Sequence, residues 1–264
     1  MSFDPGPAAA VLHRARLDRA MVGRLADTIA PGDAPGDEAE GVAVQHALAM
    51  LLGAQAPHGF KIGATGRRMQ DYLGLSGPVG GFMVASGVLG NGARFRRADY
   101  IQPGFECELA VRLGRDLPPG QCSQEQATDA VADLMVGIEL VDNRYGPMDS
   151  LHMPTLVADQ MFHAAAVQGA PAPAGWRDWD LAAIQGKILV DGVARDTGTG
   201  GELLGHPMRS LAWLAGSALA AAFGGLKAGQ VIMLGSVTPP VWLDAPATVR
   251  VEFSGLAAVE LALI

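Results

Sequence analysis

Residues 105–113 read FECELAVRL: Phe105, Cys107, Leu109, Val111 and Leu113 fall on one side of an extended chain, and Glu106, Glu108, Ala110 and Arg112 on the other. Alternation with period two predicts a β-strand with one buried face. Same-face neighbours sit about 6.5–7 Å apart along a strand, so the carboxyl groups of Glu106 and Glu108 can converge on one cation. The competing reading is a solvent-facing pair on an edge strand. Glu139 weighs against it, because it lies between Ile138 and Leu140 in GIELVDNRY, residues 137–145, with Asp142 three residues on. Three carboxylates on short strands form an oxygen-only set, which suits a hard cation such as Mg²⁺ or Mn²⁺ rather than zinc.

Working outward, Ser123 and Gln126 have capping-box spacing. Ala127, Ala130, Val131, Leu134 and Met135 then predict one apolar helix face, with Gly137 as the stop and a strand over Ile138 to Val141. Upstream, HGFKIGA, residues 58–64, reads as a short buried strand carrying Lys61, one of three lysines in the chain. Its stem either lies along apolar surface with the ammonium in water, or is held in a cleft where burial and charged neighbours tune its acidity. Residues 8–29 and 37–54 have helical spacing, the second opening with Asp37 and Glu40 as a capping box, and the segment between them is a loop.

Downstream, Asp191-Gly192 joins Lys187–Val190 to Val193–Asp196 as a hairpin. His206-Pro207 opens a helix with Leu211, Leu214, Ala215, Ala218, Leu219 and Ala222 inside, and LKAGQVIMLGSV reads as turn, buried strand and loop. The expected class is α+β: a helical N-terminal region, residues 1–56, ahead of a β-rich body, residues 57–264.

The 264 residues fit one large domain or a domain with a small appendage. A net charge of −8 with no basic tract argues against a nucleic-acid partner. Cys107 and Cys122 form neither a CxxC site nor a disulfide framework, consistent with a reducing compartment. MSFDPGPAAAVLHRARLDRA lacks the order of a signal peptide, and the most apolar stretch, Leu211 to Phe223, is too short for a bilayer; a soluble, cytoplasmic protein without membrane contact is expected. There is no HExxH, GxSxG or Walker loop, and GTGGELLG, residues 198–205, has the wrong glycine spacing for a nucleotide fingerprint.

Taken together, FKIGAT, IQPGFECELAVRLGRDLP, GIELVDNRY, LVADQ, LGHPMRSLAWLA and LKAGQVIMLGSVTPPV resemble, in order and spacing, the 2-keto-4-pentenoate hydratase and 4-oxalocrotonate decarboxylase branch of the fumarylacetoacetate hydrolase superfamily, over residues 37–264. The resemblance implies a mixed β-roll or sandwich body and a divalent cation, Mg²⁺ or Mn²⁺, held by Glu106, Glu108 and Glu139. It also implies a small 2-oxo acid substrate and a homo-oligomer. Lys61 matches the active-site lysine, Asp159 an acidic residue near the pocket, and Ser236 and Thr238 positions that help hold the substrate carboxylate. A cation that stabilises charge on the 2-oxo oxygen, with Lys61 moving protons, accounts for hydratase and decarboxylase chemistry alike.

The chain departs from this branch at Pro78-Val79-Gly80-Gly81. Hydratases resemble P-D-[FY]-G there and decarboxylases P-[IV]-[YW]-G, so Val79 leans to the second and Gly80 fits neither. Gln160 stands for the usual Asn, and Phe162 and His163 replace small residues, which implies a changed substrate pocket. A metal-dependent lyase is the leading reading. A C–C bond hydrolase on an acylpyruvate-like substrate, with His58 or His163 in a histidine–glutamate pair, and a non-catalytic scaffold paralogue stay open beside it.

Overall fold

The computed structural model describes residues 3–30, 32–147 and 151–264. Helix α1 (Gly6–Asp18) is followed by a short α2 (Leu25–Thr28) rather than one helix over 8–29. The break falls where Arg19 adopts a left-handed φ of 53°. Helix α3 (Glu38–Leu51) starts where the capping signal placed it, the Asp37 side chain accepting the Glu40 N–H at 2.9 Å. Next come β1 (Gly59–Gly63), α4 (Arg67–Leu73), β2 (Val79–Met83), β3 (Val88–Gly90), β4 (Ala93–Phe95) and β5 (Pro103–Leu113).

The expected helix over 123–137 is cut short. The Ser123–Gln126 capping box forms and opens α5 (Gln124–Ala130), but β6 runs from Val131 to Asp142, so Val131, Leu134 and Met135 are strand residues. Tertiary pairing overrides local period: β5 is 11 residues long, and Leu113, Val111 and Ala110 pair with Val131, Leu134 and Met135. Gly137 is no helix stop; it sits inside β6 opposite Glu108, where a Cβ would meet the Met233 methyl group at 2.6 Å.

After α6 (Met153–Ala158) and β7 (His163–Gln168), the Asp191-Gly192 hairpin joins β8 (Gln185–Val190) to β9 (Val193–Thr199); φ values of 49° and 77° at the turn explain the Gly. The helix predicted from His206 divides into α7 (Pro207–Ala215) and α8 (Ala218–Ala222), because Ser217 caps a new start by accepting the Ala220 N–H. The chain ends with β10 (Val231–Ser236), β11 (Val241–Trp242), β12 (Ala247–Phe253) and β13 (Val259–Leu263).

The larger sheet is mixed, in the order β2-β1-β10-β5-β6-β7-β3 with β11 added to β5. The smaller has the order β4-β13-β12-β8-β9 and packs on the first through β12 and β8. Strand β5 is therefore central, not an edge. Phe105, Cys107, Leu109, Val111 and Leu113 are all at most 1% exposed in the main core. Each of the larger of these contributes about 1.5–3 kcal/mol by burial. Among the described residues no helix is long and apolar enough to cross a membrane.

The larger sheet curls. In a flat sheet, with neighbouring strands about 4.8 Å apart, β1 and β6 would stand roughly 14 Å from one another with β10 and β5 between them, beyond the combined reach of a lysine and a glutamate. Yet Lys61 Nζ on β1 lies 3.1 Å from Glu139 Oε1 on β6. The face bearing Lys61 and the glutamates is thus the inside of a half-barrel. Side chains close its open edge at β2: Gln45 of α3 donates to the Gly80 and Val157 carbonyls and accepts the Phe82 N–H, while Gln160 donates to the Phe82 carbonyl. Edge-strand groups that would otherwise be orphaned in the interior are satisfied in this way.

Candidate active site

Glu106 and Glu139 are directly opposed on β5 and β6, and Glu108 follows two residues along β5. One carboxylate oxygen from each lies within 4.8 Å of the others. Farther along this face, Ala110 packs with Met83, Met135, Ala166, Val231 and Met233 in a separate apolar cluster.

Each buried carboxylate has one oxygen held and one left over. Glu108 Oε2 accepts the Gly235 N–H at 2.9 Å, and Gly235 has φ 112° in a spot where a Cβ would strike Thr65. Glu139 Oε1 takes Lys61 Nζ at 3.1 Å and His163 Nδ1 at 2.8 Å. Glu108 Oε1 and Glu139 Oε2 are buried with no hydrogen-bond partner among the described residues. Three carboxylates against one ammonium leave two negative charges. Burial, together with the neighbouring Glu139, pushes the Glu106 carboxyl up to about 8. Burial, with Glu139 and Glu106 adding to it, drives Glu108 well above the usual carboxylate range. Burial also opposes the charged form of Glu139, but Lys61 and His163 outweigh it and hold that carboxyl below its ordinary value. Orphaned carboxylate oxygens converging in a region short of positive charge fit a hard divalent cation.

Lys61 is 1% exposed, and its ammonium also donates to the Met161 carbonyl at 3.3 Å. Gly63 makes this approach possible, since a Cβ there would lie 2.7 Å from Met161 Sδ and 3.3 Å from Lys61 Nζ. Met161 belongs to a run of three non-glycine residues in the left-handed region: Gln160, Met161 and Phe162 have φ of 55°, 47° and 69°. That conformation costs about 1–2 kcal/mol per residue, so the segment must be held.

Asp159 is the holding group. One carboxylate oxygen accepts from Arg16 of α1 at 2.6 Å; the other accepts from Arg144 at 2.6 Å and the Tyr145 hydroxyl at 2.9 Å. Arg16 also donates to Gln160 Oε1 at 2.7 Å. Burial would raise the Asp159 carboxyl, but Arg144 and Arg16 outweigh it and keep it below the usual range.

A cavity with about 390 Å³ of space, its open mouth included, lies beside Lys61 and Glu106. Its remaining walls are apolar, among them Met69 and Leu73 of α4, Met161 and Phe162 of the left-handed run, and Pro240 and Trp242 around β11. The structure therefore brings Lys61, Glu106, Glu108 and Glu139 together, and joins His163 to them through Glu139. Asp159, Ser236, Thr238 and Val79 are not among the lining residues. Ser236 Oγ is tied to the Cys107 N–H and the Thr238 carbonyl, whereas Thr238 Oγ1 is buried without a partner among the described residues. Val79 pairs with Gly63 and so shares the inner sheet face with Lys61. A Cβ on Gly80 would meet the Leu219 side chain at 2.7 Å, so the aromatic of the hydratase pattern could enter only if Leu219 gave way. His58, an alternative partner for a glutamate, is exposed. Sequence reading missed Arg16, Arg144, Tyr145 and Gln45; its one signal was the pair Arg144-Tyr145 inside GIELVDNRY.

Fold and site define a curled mixed-sheet protein with an oxygen-ligand centre suited to a divalent cation on its inner face. The chain belongs to the fumarylacetoacetate hydrolase family: the family model described as fumarylacetoacetate (FAA) hydrolase C-terminal matches residues 51–263. It is 33% identical over 253 residues to a 2-keto-4-pentenoate hydratase of Burkholderia vietnamiensis, covering 95% of this chain and 94% of that protein. It is 29% identical over 249 residues to a 4-oxalocrotonate decarboxylase of a Pseudomonas species, covering 92% and 93%. Among solved structures, the 4-oxalocrotonate decarboxylase from Pseudomonas putida G7, complexed with magnesium and adipate, has the same fold, with a TM-score of 0.88 at 23% identity over 100% of this chain and 99% of that one. The α+β class and the branch expected from the motifs are both borne out.

Proposed function

We propose that this protein is a divalent-cation-dependent lyase acting on a small 2-oxo acid or its 2-hydroxydienoic form, by hydration or decarboxylation. The observation that carries the reading is the placement of the Lys61 ammonium 3.1 Å from one of three clustered carboxylates at the head of an otherwise apolar cavity. The named relatives, a hydratase and a decarboxylase, support the same chemistry. Glu106, Glu108 and Glu139 would hold Mg²⁺ or Mn²⁺, which when bound supplies Lewis-acid stabilisation of negative charge on the 2-oxo oxygen.

The chain's own residues do the rest. Glu139 Oε1 and the Met161 carbonyl fix Lys61 Nζ at the cavity, where it delivers or removes the proton on substrate carbon. His163 holds Glu139 Oε1, which leaves Oε2 for the cation. The Thr238 hydroxyl has no partner among the described residues but lies outside the cavity lining, and Ser236 shapes that loop through its bond to the Thr238 carbonyl. Asp159 acts by clamping the left-handed run that carries Met161 rather than by touching substrate. The His163–Glu139 contact also suits a hydrolase, but His163 does not line the cavity, and this favours the lyase.

The test is to incubate the purified protein and Mg²⁺ with a panel of 2-oxo and 2-hydroxydienoic acids and follow products by mass. Cation-dependent hydration or CO₂ loss is expected. Cleavage of acylpyruvates with no lyase product would transfer the assignment to the hydrolase, and inertness towards every acid would point to a scaffold.

A further inference from the structure

We infer that the substrate has a single carboxylate and a short uncharged alkyl tail, so that a second, distal carboxylate is excluded. This rests on the lyase reading of the site. The only charged groups among the described lining side chains are Lys61 and Glu106, and both belong to the head, where the three carboxylates converge. The remaining wall of α4 carries Met69 and Leu73, one helical turn apart, and Phe162 and Trp242 also line the cavity. A distal carboxylate lodged among these side chains would lose its water and gain no cation from the described residues, the most costly way to bury a charge.

The guanidinium groups described nearby are already committed. Arg16 and Arg144 both bind Asp159, outside the lining. Arg67 of α4 pairs with Asp71, side chains 80% and 61% exposed. A methyl or ethyl terminus, by contrast, gains from every contact with Met69, Leu73, Phe162 and Trp242. Leu73 and Met69 are thereby specificity-determining residues.

The experiment compares 2-hydroxyhexa-2,4-dienoate with 2-hydroxyhepta-2,4-diene-1,7-dioate, which adds one carboxylate to the same carbon skeleton. It also measures by calorimetry, with Mg²⁺ present, the binding of the unreactive pair 2-oxohexanoate and 2-oxohexanedioate. A preference of about 10²-fold or more for the monoacid is expected in kcat/KM and in Kd, since an unpaired buried polar group discriminates on at least this scale. Leu73→Arg should narrow both preferences by about tenfold or more by supplying the missing cation, with Mg²⁺ affinity unchanged. If that variant fails to fold, Met69→Arg, at a partly exposed position, carries the same expectation. Equal or better turnover or binding of the dicarboxylates by the wild type, whether they are hydrated or decarboxylated, overturns the inference while leaving the lyase reading intact. Tight monoacid binding without turnover of any acid would support the apolar tail and instead refute the lyase reading. Failure of both acids to bind overturns both.

Discussion

Replacing Asp159 by Asn should strongly destabilise the protein. The carboxylate is 1% exposed as a side chain and accepts charge-assisted hydrogen bonds at 2.6 Å from both Arg16 and Arg144. Asparagine keeps the shape but removes the charge, leaving two guanidinium groups close together with no shared counter-ion and an NH₂ facing a donor. Removing one partner of a buried pair costs about 3–5 kcal/mol. At roughly 2–4 °C per kcal/mol for a chain of this size, the melting temperature should fall by about 6–20 °C. Thermal melts followed by circular dichroism at neutral pH measure the shift. The sign of the pH effect is set by the depressed Asp159 carboxyl: its stabilisation is complete above the unfolded value of about 3.9 and is lost as pH falls through the lower folded value, so the gap between wild type and variant should narrow in acid. A melting temperature within about 2 °C of the wild type would refute the clamp.

Glu108→Gln should abolish most of the cation affinity, since it removes a charged ligand at constant volume; calorimetric Mg²⁺ affinity unchanged in that variant would remove the site. In the wild type, Mg²⁺ affinity should rise as pH climbs through about 8, because binding must displace the protons that burial favours on Glu106 and Glu108, and titrations in buffers of different ionisation enthalpy should register proton release. Lys61→Met, with cation present, should fold normally yet lose about 10² or more in turnover; full activity would return Lys61 to a packing role. Gly63→Ala should lower turnover through displacement of Met161 and Lys61, with Mg²⁺ affinity retained, and wild-type rates would contradict the close approach.

Local patterns in the sequence determined a good deal of this protein. Period-two alternation marked β5 because one side of that strand had to be apolar, and Asp191-Gly192, the Ser123 cap and the Asp37 cap each set a chain turn through neighbouring backbone groups alone. The three glutamates and Lys61 were legible because charged residues in strands otherwise built of Phe, Ile, Leu and Val require a partner. Only the tertiary structure decided the length of β6, where pairing with β5 overrode a helical period over Val131–Met135. It alone set the curl that closes the distance between β1 and β6. It alone placed Arg16 on Asp159, a contact spanning 143 residues of chain. Such contacts leave no local trace, because their energy arises from burying opposite charges together and exists only once distant segments have met.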